Sequence, residues 1–528
     1  MTSAEDARTE LPDVAGIVRR HVAERPERTA LVMEDRTVSW SELGARSARV
    51  ANALVASGVG PQDRIAFCDK NSLEYFDVTF GAAMANAVVV ALNWRLAPPE
   101  MEGVLNDAGA KVLIVGPDFY DHVAAIEPNL TSVTLIVALG DHPRWIGFDD
   151  WVSAQSTADP HVPTRPSDVC MQLYMSGTTG LPKGVMISNA AFLALVANVS
   201  PEWDVDADSV SIVCMPLFHI GGCGWAMVCL YAGGSAVVVR EFVPNEILDI
   251  LIEHRITNAL FVPAMLQVLP MVPGAGERDY SSLRSINYGA SPITTATLVT
   301  AMKTFGCKFR QLYGMTETSG VITCLPPADH DPDGPREHLL RSAGRPYPFV
   351  GLRIVDLDSG RDCAAGDVGE VVMRAAHNMV GYWNKPDDTA KTIDAEGWLH
   401  TGDAGYVDAE GFLYLTDRVK DMIVSGGENV YPTEVENALA LHPAVAEVGV
   451  IGVPHDRWGE TVKAVVVLRD GHTATAPELI SFTKERLAGY KCPTSIDFVD
   501  ALPRNPSGKI LKKDLRAPYW EGRGRSVN

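Results

Sequence analysis

Ser176, Gly177, Thr178, Thr179 and Gly180, with Lys183 and Gly184 just beyond, put hydroxyls, approachable backbone N–H groups and one positive charge into one short turn. Such a loop suits polyphosphate: donors line a small concave nest, and glycines stand where a Cβ would block approach. Apolar residues 169–175 precede it and 185–187 follow it, which predicts a loop between two strands. The stretch departs from the Walker A pattern, because Lys183 is followed by Gly184 rather than Ser or Thr.

Further clusters follow downstream. Tyr313, Gly314, Thr316 and Glu317 bring an aromatic ring, a hydroxyl and a carboxylate into one turn of chain. The ring can stack on a nucleobase, the hydroxyl can meet a phosphoryl oxygen, and the carboxylate can hold Mg²⁺. Asp403, after Gly402, can accept from both hydroxyls of a ribose. Lys509 ends a turn stiffened by Pro503 and Pro506. Singly, each has a plainer account: Tyr313 as core, Asp403 as a turn residue, Lys509 as a solvated lysine. Their joint occurrence is what calls for a shared ligand.

The 528 residues that must position these groups exceed one core and suggest about two to four structural units. With 46% hydrophobic and 21% charged residues, the composition is that of an ordinary globular protein. A net charge of −21 argues against nucleic acid as a partner. From Arg418 onward acidic and basic residues nearly balance, and a less acidic tail suits a polyanionic ligand at the junction. The nine cysteines are scattered without C-x-x-C spacing, which fits a reduced, cytoplasmic setting and argues against disulfides or a zinc site. Residues 1–10 are polar and acidic, unlike a secretory signal. Residues 220–239 carry no charge, but Gly221, Gly222, Gly224, Gly233 and Gly234 divide them into a helix and a strand of buried core rather than a membrane span.

Helices are expected around Val14, Ile17 and Val18 and over 41–57, 72–85 and 244–254. Strands are expected over 30–33, 37–40, 64–68, 87–92, 111–115, 209–215, 235–239, 258–262 and 285–288. This alternation predicts an α/β fold with a mostly parallel sheet under helices. From about residue 351 the texture changes to short strands with Gly/Asp turns, which predicts a small antiparallel sheet or barrel. Beyond Asp417 a compact α+β module is expected: a helix over 432–440, strands over 445–453 and 462–468, a helix over 476–488 and a loop-rich end.

Gly289, Ala290, Ser291 and Pro292 join the motifs above, as do Gly381, Tyr382, Trp383 and Asn384. So does the run from Asp417 and Arg418 through Lys420, Gly426 and Gly427 to Pro432. In this order they resemble the acyl-adenylate-forming superfamily, which includes acyl-CoA synthetases, beetle luciferases and peptide-synthetase adenylation domains. The resemblance spans residues 36–516. It implies a large N-terminal domain (1–417) of two αβ subdomains plus a small β-barrel, and a compact mobile α+β C-terminal domain (418–528). It also implies an acid–CoA ligase, in which a carboxylate and MgATP give acyl-AMP and pyrophosphate before the thiol of coenzyme A takes the acyl group.

Carried onto this chain, the resemblance places the β- and γ-phosphates in the 176–183 loop. Gly289, Ala290 and Tyr313 then border the adenine, Ser291 and Gly314 belong to the same nucleotide site, and Thr316 reaches the α-phosphate. Glu317 and Thr179 meet Mg²⁺, Asp403 and Arg418 hold the ribose, and Lys509 bridges the substrate carboxylate and the α-phosphate. The chemistry needs such a lysine, since two anions must come within bonding distance. Their repulsion at ~4 Å is about 1 kcal/mol in water and about 4 kcal/mol at an effective dielectric of ~20. A countercharge in a dry site therefore favours the transition state.

For the acceptor step the resemblance implies a swing of the C-terminal domain about Lys420. Gly426 and Gly427 would leave room for a pantetheine arm, with Trp458 and Tyr490 near coenzyme A. Cys492 stands where some relatives have a basic residue. His219 matches an aromatic position beside the acyl and thiol pockets, with a buried hydrogen-bonded histidine as the alternative. The expected acyl pocket (His219, Gly222, Cys223, Trp225, Tyr288 and Met315, with Ile220, Gly221, Gly314 and Val321) offers no charge, and Gly221 and Gly222 are expected to open space in it. An apolar acid follows, a fatty acid being favoured and an aryl or alicyclic acid the alternative. A stand-alone ligase loading a carrier protein is a further alternative, as is an enzyme that oxidises its adenylate. A dead adenylate-binding relative fits poorly with intact Lys509, Glu317 and Asp403. The expected partners are the acid, ATP and coenzyme A, with no nucleic acid, no transmembrane segment and a homodimer left open.

Overall fold

The computed structural model describes residues 11–175, 182–291, 293–357, 359–418, 421–425, 428–455, 459–504 and 510–521. The chain divides into two compact units, Met1–Gly351 with Arg374–Leu399, and Leu352–Met373 with His400–Asn528.

Two sheets build the first unit. Among the described residues one runs Gly381–Tyr382, Lys183–Ser188, Val169–Met175, Val88–Ala91, Arg64–Cys68, Val112–Val115, Leu135–Ala138, Ile146–Gly147. Its middle strands are parallel, while Lys183–Ser188 returns antiparallel along Val169–Met175, the strand pair expected around the 176–181 loop. Val88–Ala91 and Val112–Val115 are buried along their whole length, as strands covered on both faces must be. The other sheet has Lys308–Tyr313, Ser285–Gly289, Asn258–Phe261, Val210–Val213 and Ser235–Val238 in parallel at its centre. Phe261, Ile286, Leu298 and Phe309 fill the core between its strands and helices.

Local chemistry sets the helix ends. Helix Trp40–Ala56 begins at a reciprocal cap: the Ser39 N–H donates to Glu42 Oε2 (2.8 Å) and the Glu42 N–H to Ser39 Oγ (3.2 Å). Helix Ile220–Ala232 stops at Gly233, whose left-handed backbone (φ 85°) turns the chain into strand Ser235–Val238. The uncharged run is thus a buried helix, turn and strand. No described helix is long and apolar enough to cross a membrane. Helices Pro98–Ala108, Asn189–Glu202 and Thr295–Phe305 add to those expected from the pattern.

Asn71 stitches the two sheets together. Its Nδ2 donates to the carbonyls of Met215 and Val239 (3.0 Å each), and its Oδ1 accepts from the Leu217 N–H (3.0 Å). Only 3% exposed, it satisfies three backbone groups that burial would otherwise strand.

The second unit carries the strand order Gly351–Val355, Gly369–Arg374, Leu399–Val407, Leu413–Arg418. A further sheet pairs Val445–His455 with Gly459–Leu468, and helices Pro432–Ala440 and Ala476–Lys484 bury Val435, Leu439 and Leu479 against Val450 and Val462. Two expectations need correction here. The helix over 476–488 ends at Lys484, before a short turn at Gly489–Lys491. The loop-rich end contains helix Lys512–Trp520, whose Leu515 and Tyr519, four residues apart, pack against Ile451, Val453 and Val465. Two apolar anchors among charged residues, with Pro518 inside, make too faint a periodic signal to read locally.

Candidate active site

The turn after strand Lys308–Tyr313 is shaped by backbone crowding. Gly289 faces Leu312 across the parallel ladder, and a Cβ on it would lie 2.1 Å from the Leu312 carbonyl oxygen. A Cβ on Gly314 would lie 2.3 Å from the Gly320 oxygen. Both positions therefore require glycine. Ala290 follows with a left-handed backbone (φ 68°), then Ser291. Tyr313 closes its strand opposite Thr323.

Thr316–Thr318 form one tight turn. The Met315 N–H donates to Thr318 Oγ1 (3.1 Å), which donates back to the Met315 carbonyl (3.0 Å). Residues from far along the chain clamp this turn: Ser319 Oγ donates to the His377 carbonyl (2.7 Å), and the Met379 N–H to the Glu317 carbonyl (2.8 Å). Glu317 is 1% exposed, and its Oε1 accepts from the Tyr382 hydroxyl at 2.7 Å. Burial first, then the Glu317 carboxylate, push the Tyr382 hydroxyl well above the usual phenol range, so it remains a donor.

Tyr382 reaches Glu317 from strand Gly381–Tyr382, paired antiparallel with Lys183–Ser188. It also lies beside Lys183, whose Nζ is 5.0 Å from its ring centre. The Lys183 ammonium is 2.8 Å from Asp388 Oδ2, and this hydrogen bond holds the Asp388 carboxyl below its usual range. The sequence signal at Tyr382 was confined to its place in the Gly381–Asn384 motif, and nothing local marked Asp388. Ser176, Gly177, Thr178, Thr179 and Gly180 lie outside the described residues.

Beside the turn is an apolar cavity of about 100 Å³. Gly289, Ala290, Gly314 and Ser319 to Val321 line its turn side, and Leu195, Trp203, Trp225, Val228 and Phe261 its far side. Gly221, Gly224, Trp225 and Val228 face it from helix Ile220–Ala232, at the three- and four-residue spacing of one helix face. Trp225 Nε1 donates to the Ile212 carbonyl (2.9 Å) and Trp203 Nε1 to the Tyr347 hydroxyl (2.8 Å), with ring centres 5.9 Å apart.

Other residues expected in the acyl pocket do not line this cavity, for geometric reasons. Gly222 and Cys223 are on other faces of the helix. A Cβ on Gly222 would come 2.1 Å from the Pro216 oxygen, so that glycine permits close packing rather than opening space. Cys223 is buried beside Tyr75, and burial pushes its thiol up to about 12. Tyr288 points away from the cavity that Gly289 lines, because strand side chains alternate; its hydroxyl is 3.0 Å from His330 Nε2. Met315 is committed to the turn. The His219 carbonyl starts the helix by accepting from Gly222 and Cys223 N–H groups (2.9 and 3.0 Å), and its ring leans on Phe218.

In the second unit Asp403 and Arg418 face each other in the register of strands Leu399–Val407 and Leu413–Arg418. The Thr401 Oγ1 accepts from the Asp403 N–H (3.1 Å), which shapes the Gly402 turn (φ 68°). Tyr490 is 46% exposed, and its neighbour Lys491 is paired with Glu434 at 2.7 Å. Cys492 is buried with its thiol toward the Leu487 and Ala488 carbonyls. Lys420, Gly426, Gly427, Trp458 and Lys509 lie outside the described residues.

Residues 18–383 match the AMP-binding enzyme family and residues 434–509 the AMP-binding enzyme C-terminal domain. A fatty acid–[acyl-carrier-protein] ligase, ScoC, from Streptomyces coeruleorubidus is 41% identical over 517 residues, covering 96% of both chains. A feruloyl-CoA synthase from Amycolatopsis sp is 38% identical, covering 94% of this chain and 96% of its own. The crystal structure of ATP-bound MatB from Rhodopseudomonas palustris superposes with a TM-score of 0.87 at 31% identity, covering 96% of this chain and 99% of that one. The crowded glycines, the buried Glu317 turn and the apolar cavity are thus parts of a chain that belongs to the AMP-binding enzyme family, within the acyl-adenylate-forming superfamily.

Proposed function

We propose that this protein is an ATP-dependent, AMP-forming ligase that joins an apolar carboxylic acid to the thiol of coenzyme A. The observation that carries the reading is the uncharged cavity opening beside the Thr316–Thr318 turn. An acid seated there with its apolar body toward Trp203 and Trp225 has its carboxylate near Thr316. A carboxylate oxygen attacks the α-phosphorus, the bond to the β-phosphate oxygen breaks, and pyrophosphate leaves. The thiol, losing its proton, then attacks the acyl carbonyl and AMP leaves.

The residues fit Mg²⁺ as a companion of the nucleotide. Glu317 offers one buried carboxylate on the turn that also carries Thr316. That suits a hard cation bound by one or two carboxylates, phosphates and water. Glu317 with Thr179 would hold it, and it would supply charge neutralisation at the phosphates. Lys183 with the 176–180 loop binds the β- and γ-phosphates; Gly289, Ala290 and Tyr313 border the adenine, with Ser291 and Gly314 in the same nucleotide site; Asp403 and Arg418 take the ribose. Lys509 bridges the two anions. A C-terminal domain starting at 418 swings about Lys420 to exchange Lys509 for the Gly426–Gly427 thiol path, with Trp458 and Tyr490 beside coenzyme A. The separate family matches before 383 and after 434 support a boundary between them.

A fatty acid is the favoured substrate and an aryl or alicyclic acid the alternative. A carrier protein as acceptor is the second reading, favoured by the relative at 41% identity that is named for that acceptor. The test supplies MgATP, fatty, aryl and alicyclic acids, and either coenzyme A or a carrier protein. AMP with acyl-CoA supports the proposal; AMP with an acylated carrier and no acyl-CoA selects the second reading; ADP instead of AMP refutes both.

A further inference from the structure

Lys183 does not wait for a phosphate with its charge exposed to water. Its Nζ is 2.8 Å from Asp388 Oδ2, with the two side chains 18% and 32% exposed. The partner is held firmly. Asp388 lies in helix Pro386–Thr392, and the Thr389 hydroxyl of that helix accepts from the Tyr382 N–H (2.9 Å) while donating to the Lys385 carbonyl (2.9 Å). Gly381, with a φ of 153°, lets this helix close onto its strand: a Cβ there would lie 2.7 Å from Thr389 Cγ2. Asp388 therefore belongs to the same braced segment that delivers Tyr382 to Glu317.

We infer that Asp388 is a built-in competitor for the Lys183 ammonium, which an incoming polyphosphate must displace and which helps expel pyrophosphate after adenylation. The inference rests on the reading of Lys183 as a phosphate ligand. An ammonium is a compact point charge with three donors, so it can be handed between a carboxylate and a phosphate without the geometric loss an arginine fork would suffer. The carboxylate remains nearby when phosphate is bound and goes on competing for the same ammonium donors. Lys385 and Lys391, both near Asp388, give it somewhere to turn when Lys183 leaves.

The test measures binding of inorganic pyrophosphate and of MgATP by titration calorimetry to the full chain and to Asp388→Asn, Lys183→Ala and the double variant. Asp388→Asn is expected to bind both anions about two- to fivefold more tightly, the range a partly exposed ion pair supplies. Lys183→Ala is expected to bind them more weakly, and adding Asp388→Asn to it should bring no gain. Weaker or unchanged binding by Asp388→Asn, and equally by Asp388→Ser as a second replacement, would overturn the competitor role. A gain that persists without Lys183 would overturn it too, since Asp388 would then act on the anion alone. Unchanged binding by Lys183→Ala would instead remove the phosphate reading beneath the inference.

Discussion

The Tyr382 hydroxyl donates to Glu317 Oε1 across 2.7 Å, though 65 residues separate them. A buried carboxylate needs donors, and this one orients the oxygen pair on a turn that also carries Thr316. Tyr382 thereby couples the carboxylate turn to the strand that begins at Lys183.

Removing that donor should show in adenylation. A hydrogen bond to a charged group contributes about 1.5–3 kcal/mol, so Tyr382→Phe is expected to slow acid-dependent pyrophosphate exchange about tenfold or more. The Mg²⁺ concentration for half-maximal rate should rise as well. An unchanged Mg²⁺ dependence with an unchanged rate would mean that the bond serves stability alone.

The indole of Trp225 is pinned by the Ile212 carbonyl and backed by Trp203, which makes it a floor rather than a movable gate. Trp225→Ala is expected to shift the preferred acid toward longer chains. It should also cost about 3–5 kcal/mol of stability as a large buried side chain is lost. A profile of rate against chain length, read beside a denaturation curve, separates the two effects. A destabilised variant with the original length preference would place the acyl body elsewhere.

The role proposed for Lys509 separates the two half-reactions. Lys509→Ala is expected to abolish acyl-AMP formation while leaving thioester formation from supplied acyl-AMP largely intact. Equal loss in both assays would contradict its assignment to the first step.

Two buried histidines make stability depend on acid. Burial lowers His21 and His330 to about 4, with Arg20 and Arg310 adding to the effect. Unfolded histidines titrate near ~6.5, so the unfolded chain binds protons there that the folded chain refuses until about pH 4. Their contribution is complete above about pH 6.5 and is lost as pH falls toward 4. Denaturant unfolding at pH 7.5 and 5.5 should show the drop, and His330→Gln should reduce it even though it forfeits the Tyr288 contact. An unaltered drop in that variant would assign the acid sensitivity to other groups.

Strand–helix alternation and the Thr316–Thr318 turn were legible in the sequence because their causes are local. The 176–184 stretch advertises phosphate chemistry through contiguous hydroxyls and glycines, Thr316 and Glu317 are neighbours, and the strands carry unbroken apolar runs. Gly233 marks the end of the helix it terminates, as only a residue at ease with φ 85° could.

Tertiary structure alone decided what depends on direction and on distant partners. His219 to Cys223, and Trp225, all read as pocket wall in one dimension. Once Gly222 is pressed against the Pro216 carbonyl, the helix is rotated so that Gly221, Gly224 and Trp225 face the cavity while Cys223 enters the core. Tyr288 and Gly289, adjacent in sequence, part to opposite sides of a strand. Asp388 meets Lys183, and Tyr382 meets Glu317, only because strand Gly381–Tyr382 returns to the edge of a sheet beside the much earlier strand Lys183–Ser188. The sequence by itself determined which functional groups this protein possesses, since their chemistry resides in the side chains. Packing determined which of them meet, since close contact fixes the rotation of each helix and the register of each strand.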